Sequence, residues 1–178
     1  MRIVGGSLKS RRLCEFKGDF IRPTSDSARE SLFNILRDRT EGSSFLDLYC
    51  GTGAVGIEAY SRGAETVVFN DVSKESLSVL RKNLERLGIA DRVQVKNTDA
   101  RAFIESCARK FDIIFMDPPY DFGEDMLPEG IYKALNEGGI AVYESEKPFS
   151  GELAGLKVTD RRRYGRAHLT FFKRAEEQ

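Results

Sequence analysis

A chain of 178 residues, 40% hydrophobic and 31% charged, is long enough for one cored domain with a small appendage. No apolar stretch approaches the ~20 residues of a membrane helix, and Met1-Arg2-Ile3-Val4-Gly5-Gly6 does not open as a signal peptide, so the cytosol and no membrane partner are expected. The net charge is zero, but residues 1–22 carry +4 (six basic residues against Glu15 and Asp19) and residues 157–174 carry +6 (seven basic residues against Asp160), which leaves an acidic body. Such asymmetry suggests an anionic partner held by the two ends, against the plainer reading of a solvated charged surface. Cys14, Cys50 and Cys107 are scattered and His168 is the single histidine, so no zinc site of the usual spacing and no histidine-based nucleophile is expected. His168 sits in an alternating stretch and reads as a strand-face residue.

In chain order, Met1 to Phe20 reads as short strands around turns at Gly5-Gly6 and Lys17-Gly18-Asp19. It has no convincing apolar face of its own, which predicts a hairpin arm over residues 1–22 ahead of a domain over 23–178. Arg22-Pro23-Thr24-Ser25 leads into a helix that Thr24 or Ser25 can cap, with Ala28, Leu32, Ile35 and Leu36 as its apolar stripe. Strands and helices then alternate. Strands are expected at 45–49, 66–70, 92–96, 111–116 and 140–144, and helices at 54–61, 74–87, 100–108 and 125–135. Leucines 77, 80, 84 and 87 share one side of the second of those helices. Residues 156–163 and 167–172 read as a closing hairpin turned at Tyr164-Gly165. Strict alternation predicts an α/β fold: a doubly wound, mostly parallel, seven-stranded sheet ending in an antiparallel hairpin. There is no internal repeat.

Two segments carry chemistry. The first strand leads into Gly51-Thr52-Gly53-Ala54-Val55-Gly56, a G-x-G-x-x-G run between strand and helix. Asp71, about 20 residues on, suits a ribose diol of either a dinucleotide or an adenosyl ligand. Asp47, within the first strand, is unwelcome beside a pyrophosphate and useful beside an ammonium or sulfonium. Asp99 suits an adenine amine or a helix N-cap. The second segment is Asp117-Pro118-Pro119-Tyr120, closing the apolar strand 111–116. Each proline fixes its own φ and removes an N–H, so the wall offers acceptors and no competing donors. A planar substrate with an exocyclic amine fits: the amine donates to Asp117 and to the Pro118 carbonyl, and Tyr120 stacks on the ring. Adenine, guanine and cytosine all meet that description. Asp47, Asp71, Asp99 and Asp117 fall at or near the carboxyl ends of consecutive strands, where ligands of such sheets sit. Together they fit S-adenosylmethionine (SAM).

Nearly the whole chain resembles the bacterial RsmD family of 16S (small-subunit) ribosomal RNA guanine-N2 methyltransferases, within the class I, Rossmann-like SAM-dependent enzymes. The resemblance is carried by Arg2-Ile3-Val4-Gly5-Gly6 with Arg11-Arg12-Leu13, Arg22-Pro23-Thr24-Ser25-Asp26 with Arg29-Glu30, Leu46-Asp47-Leu48 with Gly51 and Gly53, Glu58-Ala59, Ser61-Arg62-Gly63-Ala64, Asp117-Pro118-Pro119-Tyr120, Glu144-Ser145-Glu146 and Tyr164-Gly165. Ser10 stands where that family commonly has glycine. The resemblance implies SAM held by Asp47, Gly51, Gly53, Asp71 and Asp99, and catalysis by Asp117, Pro118 and Tyr120. It implies that the substrate is an RNA guanine, probed by Pro119 and Tyr120. Arg2, Arg11, Arg12, Arg22 and Arg29 are candidate phosphate contacts, though Arg22 and Arg29 equally suit an ion pair with Asp26 or Glu30. The arm is then RNA-binding and the partner ribosomal RNA, in a small-subunit assembly intermediate, with a monomeric enzyme. An adenine-N6 methyltransferase and a non-catalytic assembly factor are the alternatives.

Overall fold

The computed structural model describes residues 1–15, 25–119 and 127–175. Helix α1 spans Asp26–Ile35 and a short α2 spans Arg37–Thr40. Then follow β1 (Ser44–Asp47), α3 (Ala54–Ser61), β2 (Thr66–Asn70), α4 (Lys74–Leu87), β3 (Gln94–Lys96), α5 (Ala100–Ser106), β4 (Phe111–Met116), β5 (Leu135–Ser145), β6 (Leu156–Tyr164) and β7 (Ala167–Arg174). The strands form one sheet in the order β3-β2-β1-β4-β5-β7-β6. The first five are parallel, and β7 inserts antiparallel between β5 and β6.

Parallel strands are covered on both faces, so their side chains are apolar almost without a break. Alternation then sends neighbours to opposite layers. Phe45, Ile113 and Phe115 join a core with Leu32, Phe33, Ile57 and Leu80 of α1, α3 and α4. Leu46, Ile114 and Met116 join a second core with Phe103 and Ile104 of α5 and Phe149. The stripe Leu77, Leu80, Leu84, Leu87 keeps α4 on the first layer, and Gly88 ends the helix at φ 71°.

The expected helix over 125–135 is not what the described part of that stretch forms; residues 120–126 lie outside the described residues. Ile131–Ala134 make one 3-10 turn, and β5 already starts at Leu135, ahead of the two glycines. Gly138-Gly139 do not stop a helix but shape a bulge opposite Phe111 and Ile113. A Cβ on Gly139 would lie 2.9 Å from the Asn136 carbonyl oxygen and 3.1 Å from that of Phe111, so only glycine lets the strands close there. Asp112 buttresses the same point, accepting from the Ser44 N–H and hydroxyl and from the Asn136 amide. Partial burial alone would raise this carboxyl, but those three bonds outweigh it and hold it below its ordinary value. Smaller differences are a β3 that begins at Gln94 after a 3-10 turn at Ala90–Arg92, and an α5 that ends at Ser106.

Within residues 1–15, the expected hairpin is present in outline: Arg2 bridges Arg12, and Ile3 donates to the Arg11 carbonyl. Ser10 turns the corner at φ 70°, a left-handed conformation that accounts for the family's preference for glycine there. The expected absence of an apolar face is corrected by the structure. Ile3 and Leu13 are buried in the first core, with Met1 and Leu8 packed against it. Two apolar residues ten apart show no periodicity in the sequence, yet the turn brings them to one side.

Candidate active site

The order of strands reverses between β1 and β4, which places the ligand crevice at their carboxyl ends. Asp47 ends β1, Asp71 follows β2, Asp99 follows β3 and Asp117 follows β4. Because the sheet order is β3-β2-β1-β4, the four carboxylates run along one edge as Asp99, Asp71, Asp47, Asp117. At ~4.8 Å between strands, the row is about 15 Å long.

The glycine loop is built on that row. Gly53 caps α3 at φ 85°, and a Cβ there would strike Leu80 Cδ1 at 2.2 Å, so glycine is required twice over. Above Gly51 the space is open: a Cβ would meet nothing within 4 Å. The Gly51 N–H donates to Asp71 Oδ2 at 2.7 Å, while Asp71 Oδ1 accepts from the Ser73 N–H at 2.8 Å. Asp71 thus joins the loops after β1 and β2. Asn97 fixes the latter by donating to the carbonyls of Asp71 and Val72.

Asp47 lies beneath this loop. It is 1% exposed and accepts from the Gly56 N–H at 2.8 Å. Burial first, with some help from Asp71 and against the Gly56 bond, pushes its carboxyl up to about 7. The neighbouring Cys50 thiol is also pushed up by burial and by Asp47 and Asp71, which leaves it a protonated, unreactive side chain. Asp99 caps α5, with its Oδ1 accepting from the N–H groups of Arg101 and Ala102. Both roles foreseen for it are compatible, since a carboxylate has further lone pairs.

On β4, Met116 is buried, Asp117 is half-buried, Pro118 is buried and Pro119 is exposed at the rim. Tyr120 and Arg22 lie outside the described residues. Arg11 and Arg12 are exposed on the N-terminal hairpin, and Arg2 reaches Asp26 at 3.7 Å.

Arg29 is not placed where RNA phosphates could reach it. Its side chain has no exposure; it pairs with Asp26 at 2.9 Å and with the equally buried Glu58 at 3.4 Å, and donates to the Arg2 carbonyl. The ion pair with Asp26, one of the two readings, is the one observed. The Glu58 carboxylate also accepts from Val4 N–H (2.9 Å), Gly5 N–H (2.7 Å) and Arg62 Nε (2.8 Å). This cluster fastens the N-terminal hairpin to α1 and α3. At the other end of the hairpin, Cys14 exchanges hydrogen bonds with Asn83, which donates to the Thr52 carbonyl of the glycine loop. The N-terminal hairpin and the glycine loop are therefore tied together through Asn83. Glu58 and Asn83 were missed because their partners are distant in sequence. The available signal for Glu58 was the one charged residue inside the octet of α3. Val72 was also missed; it is an apolar side chain 70% exposed beside Asp71.

The site's residues fit SAM. An open backbone at Gly51, carboxylates for an amine and a diol, an exposed valine and a buried acid able to offset a cation answer the ligand's parts. The sheet order and its closing antiparallel hairpin are those of methyltransferase folds. The chain belongs to the RsmD family: the family model described as Conserved hypothetical protein 95 matches residues 1–173. Relatives include YlbH of Bacillus subtilis, 33% identical over 98% of this chain and 99% of that one. Another is the Ribosomal RNA small subunit methyltransferase D of Escherichia coli K12, 34% identical over 79% of this chain and 70% of that one. Among solved structures, yhhF of Escherichia coli superposes with a TM-score of 0.83 at 29% identity, covering 98% of this chain and 97% of that one.

Proposed function

We propose that the protein transfers a methyl group from SAM to the exocyclic N2 amine of a guanine in 16S ribosomal RNA, acting as a cytoplasmic monomer on a small-subunit assembly intermediate. The observation that carries this reading is the spatial order of the four acids. Asp99 meets the adenine, Asp71 the ribose and Asp47 supports the methionine end, following the ligand from base to sulfonium, while Asp117, on the next strand, meets the acceptor amine that approaches the methyl. The rRNA methyltransferase relative supports ribosomal RNA as the substrate; the preference for guanine over the adenine-N6 alternative rests on the motif resemblance to guanine-N2 enzymes. Among the described residues, no helix is long and apolar enough to cross a membrane.

When bound, SAM would supply an electrophilic methyl group on a sulfonium, whose S–C bond breaks as the N–C bond forms and leaves a neutral thioether. The chain's task is alignment, because an amine conjugated to a purine is a weak nucleophile. Asp117 and the Pro118 carbonyl each accept one N–H of the amine, which draws its lone pair out of conjugation and fixes its direction. As the N–C bond forms, nitrogen gains positive charge and must release a proton; Asp117 takes it, directly or through water. Pro119, exposed at the rim, offers a wall for a base pulled from its helix.

The test is transfer of isotopically labelled methyl to small-subunit particles from a strain lacking the gene, followed by nucleoside analysis. Label in N2-methylguanosine supports the proposal. Label in N6-methyladenosine, or none, overturns it.

Three further outcomes are expected. Asp71→Ala should weaken SAM binding about 10- to 100-fold by calorimetry, the worth of a charge-assisted pair of bonds; unchanged affinity would move the ribose contact elsewhere. Arg11→Ala with Arg12→Ala should lower RNA affinity and flatten its log–log salt slope by about 1.5.

The third outcome concerns pH. Asp47 titrates near 7 when folded against an ordinary 3.8, so its stabilising protonation is complete below the ordinary value and lost as pH rises through 7. A cationic ligand nearby favours the ionised form. SAM binding should therefore release up to one proton at pH 6 and tighten between pH 6 and 8. Calorimetry in buffers of different ionisation enthalpy reads this release, and Asp47→Asn should abolish it.

A further inference from the structure

We infer that the C-terminal hairpin, through Arg161, Arg163 and Arg166, forms a second phosphate-binding surface that grips the RNA strand flanking the target base. The inference rests on the methyl-transfer reading above and assigns the part of the substrate that the pocket does not touch.

The sheet register carries the argument. Met116, the residue before Asp117, pairs with Tyr143; Tyr143 pairs with Thr170; Thr170 pairs with Arg161. One cross-strand row thus runs from the catalytic corner to the edge strand β6, three strand spacings or about 14 Å away. The next row, Ser145–His168–Arg163, ends at the rim itself. Cross-strand partners share a face, so Arg161 and Arg163 extend the face that carries Tyr143 and Ser145, and Arg166 sits in the turn beyond.

The three arginines are exposed. Asp160, the acid within β6, is taken by Arg162 at 2.9 Å, on the opposite face. Arg163 Nε donates to the Gly165 carbonyl, which steadies the turn and leaves the rest of the guanidinium outward. A base drawn into the pocket brings its 5′ and 3′ phosphates across this rim, and guanidinium groups bind phosphate through several donors at once. The rival account is that β6 is an edge strand and its charges merely block pairing with another sheet. That account places no demand on Arg166, which lies outside the ladder.

The test compares the wild type with Arg161→Gln/Arg163→Gln/Arg166→Gln for binding to small-subunit particles from a gene-deleted strain over a range of salt. The triple variant should bind SAM as the wild type does, lose affinity for the particle at least tenfold, raise KM for it more than it changes kcat, and flatten the log–log salt slope by about 2 to 2.7. The corresponding lysine triple should keep most of the slope. Should the glutamine triple aggregate, Arg166→Gln alone should still flatten the slope by about 0.7 to 0.9. An unchanged slope and KM in a soluble glutamine variant overturns the inference. If the wild type itself fails to methylate the particle, the methyl-transfer reading fails instead, which the wild-type arm reports separately.

Discussion

Asp117→Ala is expected to lower methyl transfer to ribosomal RNA by about 10³-fold or more while leaving SAM affinity within a fewfold of the wild type. Removal of a general base costs about 10² to 10⁴, and this residue also orients the amine. The separation of the two effects follows from the edge geometry: Asp117 follows β4, whereas Asp71 and Asp99 follow β2 and β3 on the far side of β1. Asp117→Asn is the informative companion. It keeps an oxygen for the amine N–H but cannot take the proton, so it should fall between alanine and wild type. Single-turnover transfer with saturating SAM measures both. Wild-type turnover in Asp117→Ala would remove the residue from the chemistry.

The second large effect is expected on stability. Glu58→Ala should cost about 3–5 kcal/mol, since it strands the buried Arg29 guanidinium. It also leaves the Val4 and Gly5 N–H groups without their acceptor. For a domain of this size, that corresponds to a fall in Tm of roughly 6–20 °C. The first segment to loosen should be the N-terminal hairpin, so proteolysis near residues 1–15 should precede global unfolding. Replacing both Arg29 and Glu58 by apolar residues of similar volume should be milder than either single loss, because no charge is then stranded. A Tm within about 2 °C of wild type for Glu58→Ala would mean that the cluster contributes little.

Most of the frame was legible because its signals are local. The bounds of α3, α4, β2 and β4 agree with the sequence reading at both ends. In each case apolar periodicity ran up to a glycine, a capping serine or a proline pair. The segment 131–139 misled because a helical apolar spacing and two glycines look the same whether they end a helix or bulge a strand. What decides is the room beside Phe111, which only the fold reveals.

The placement of the four acids was legible for a similar reason: each falls at or just after the carboxyl end of a strand, where the sequence reading put it. The depth of Asp47 was not. Asp47 proved to lie under the loop at 1% exposure, a depth no local pattern encodes. Of the two readings of Arg29, the ion pair with Asp26 is observed; its full burial was not legible, because charged residues are rarely fully buried unless paired and its second partner, Glu58, lies 29 residues away.

The most direct measurement of the central claim is mass spectrometry of 16S ribosomal RNA from the source organism with this gene deleted. The account predicts that one N2-methylguanosine disappears and returns with the wild-type gene but not with Asp117→Ala. An unaltered set of methylguanosines, or loss of a methyladenosine instead, would contradict it.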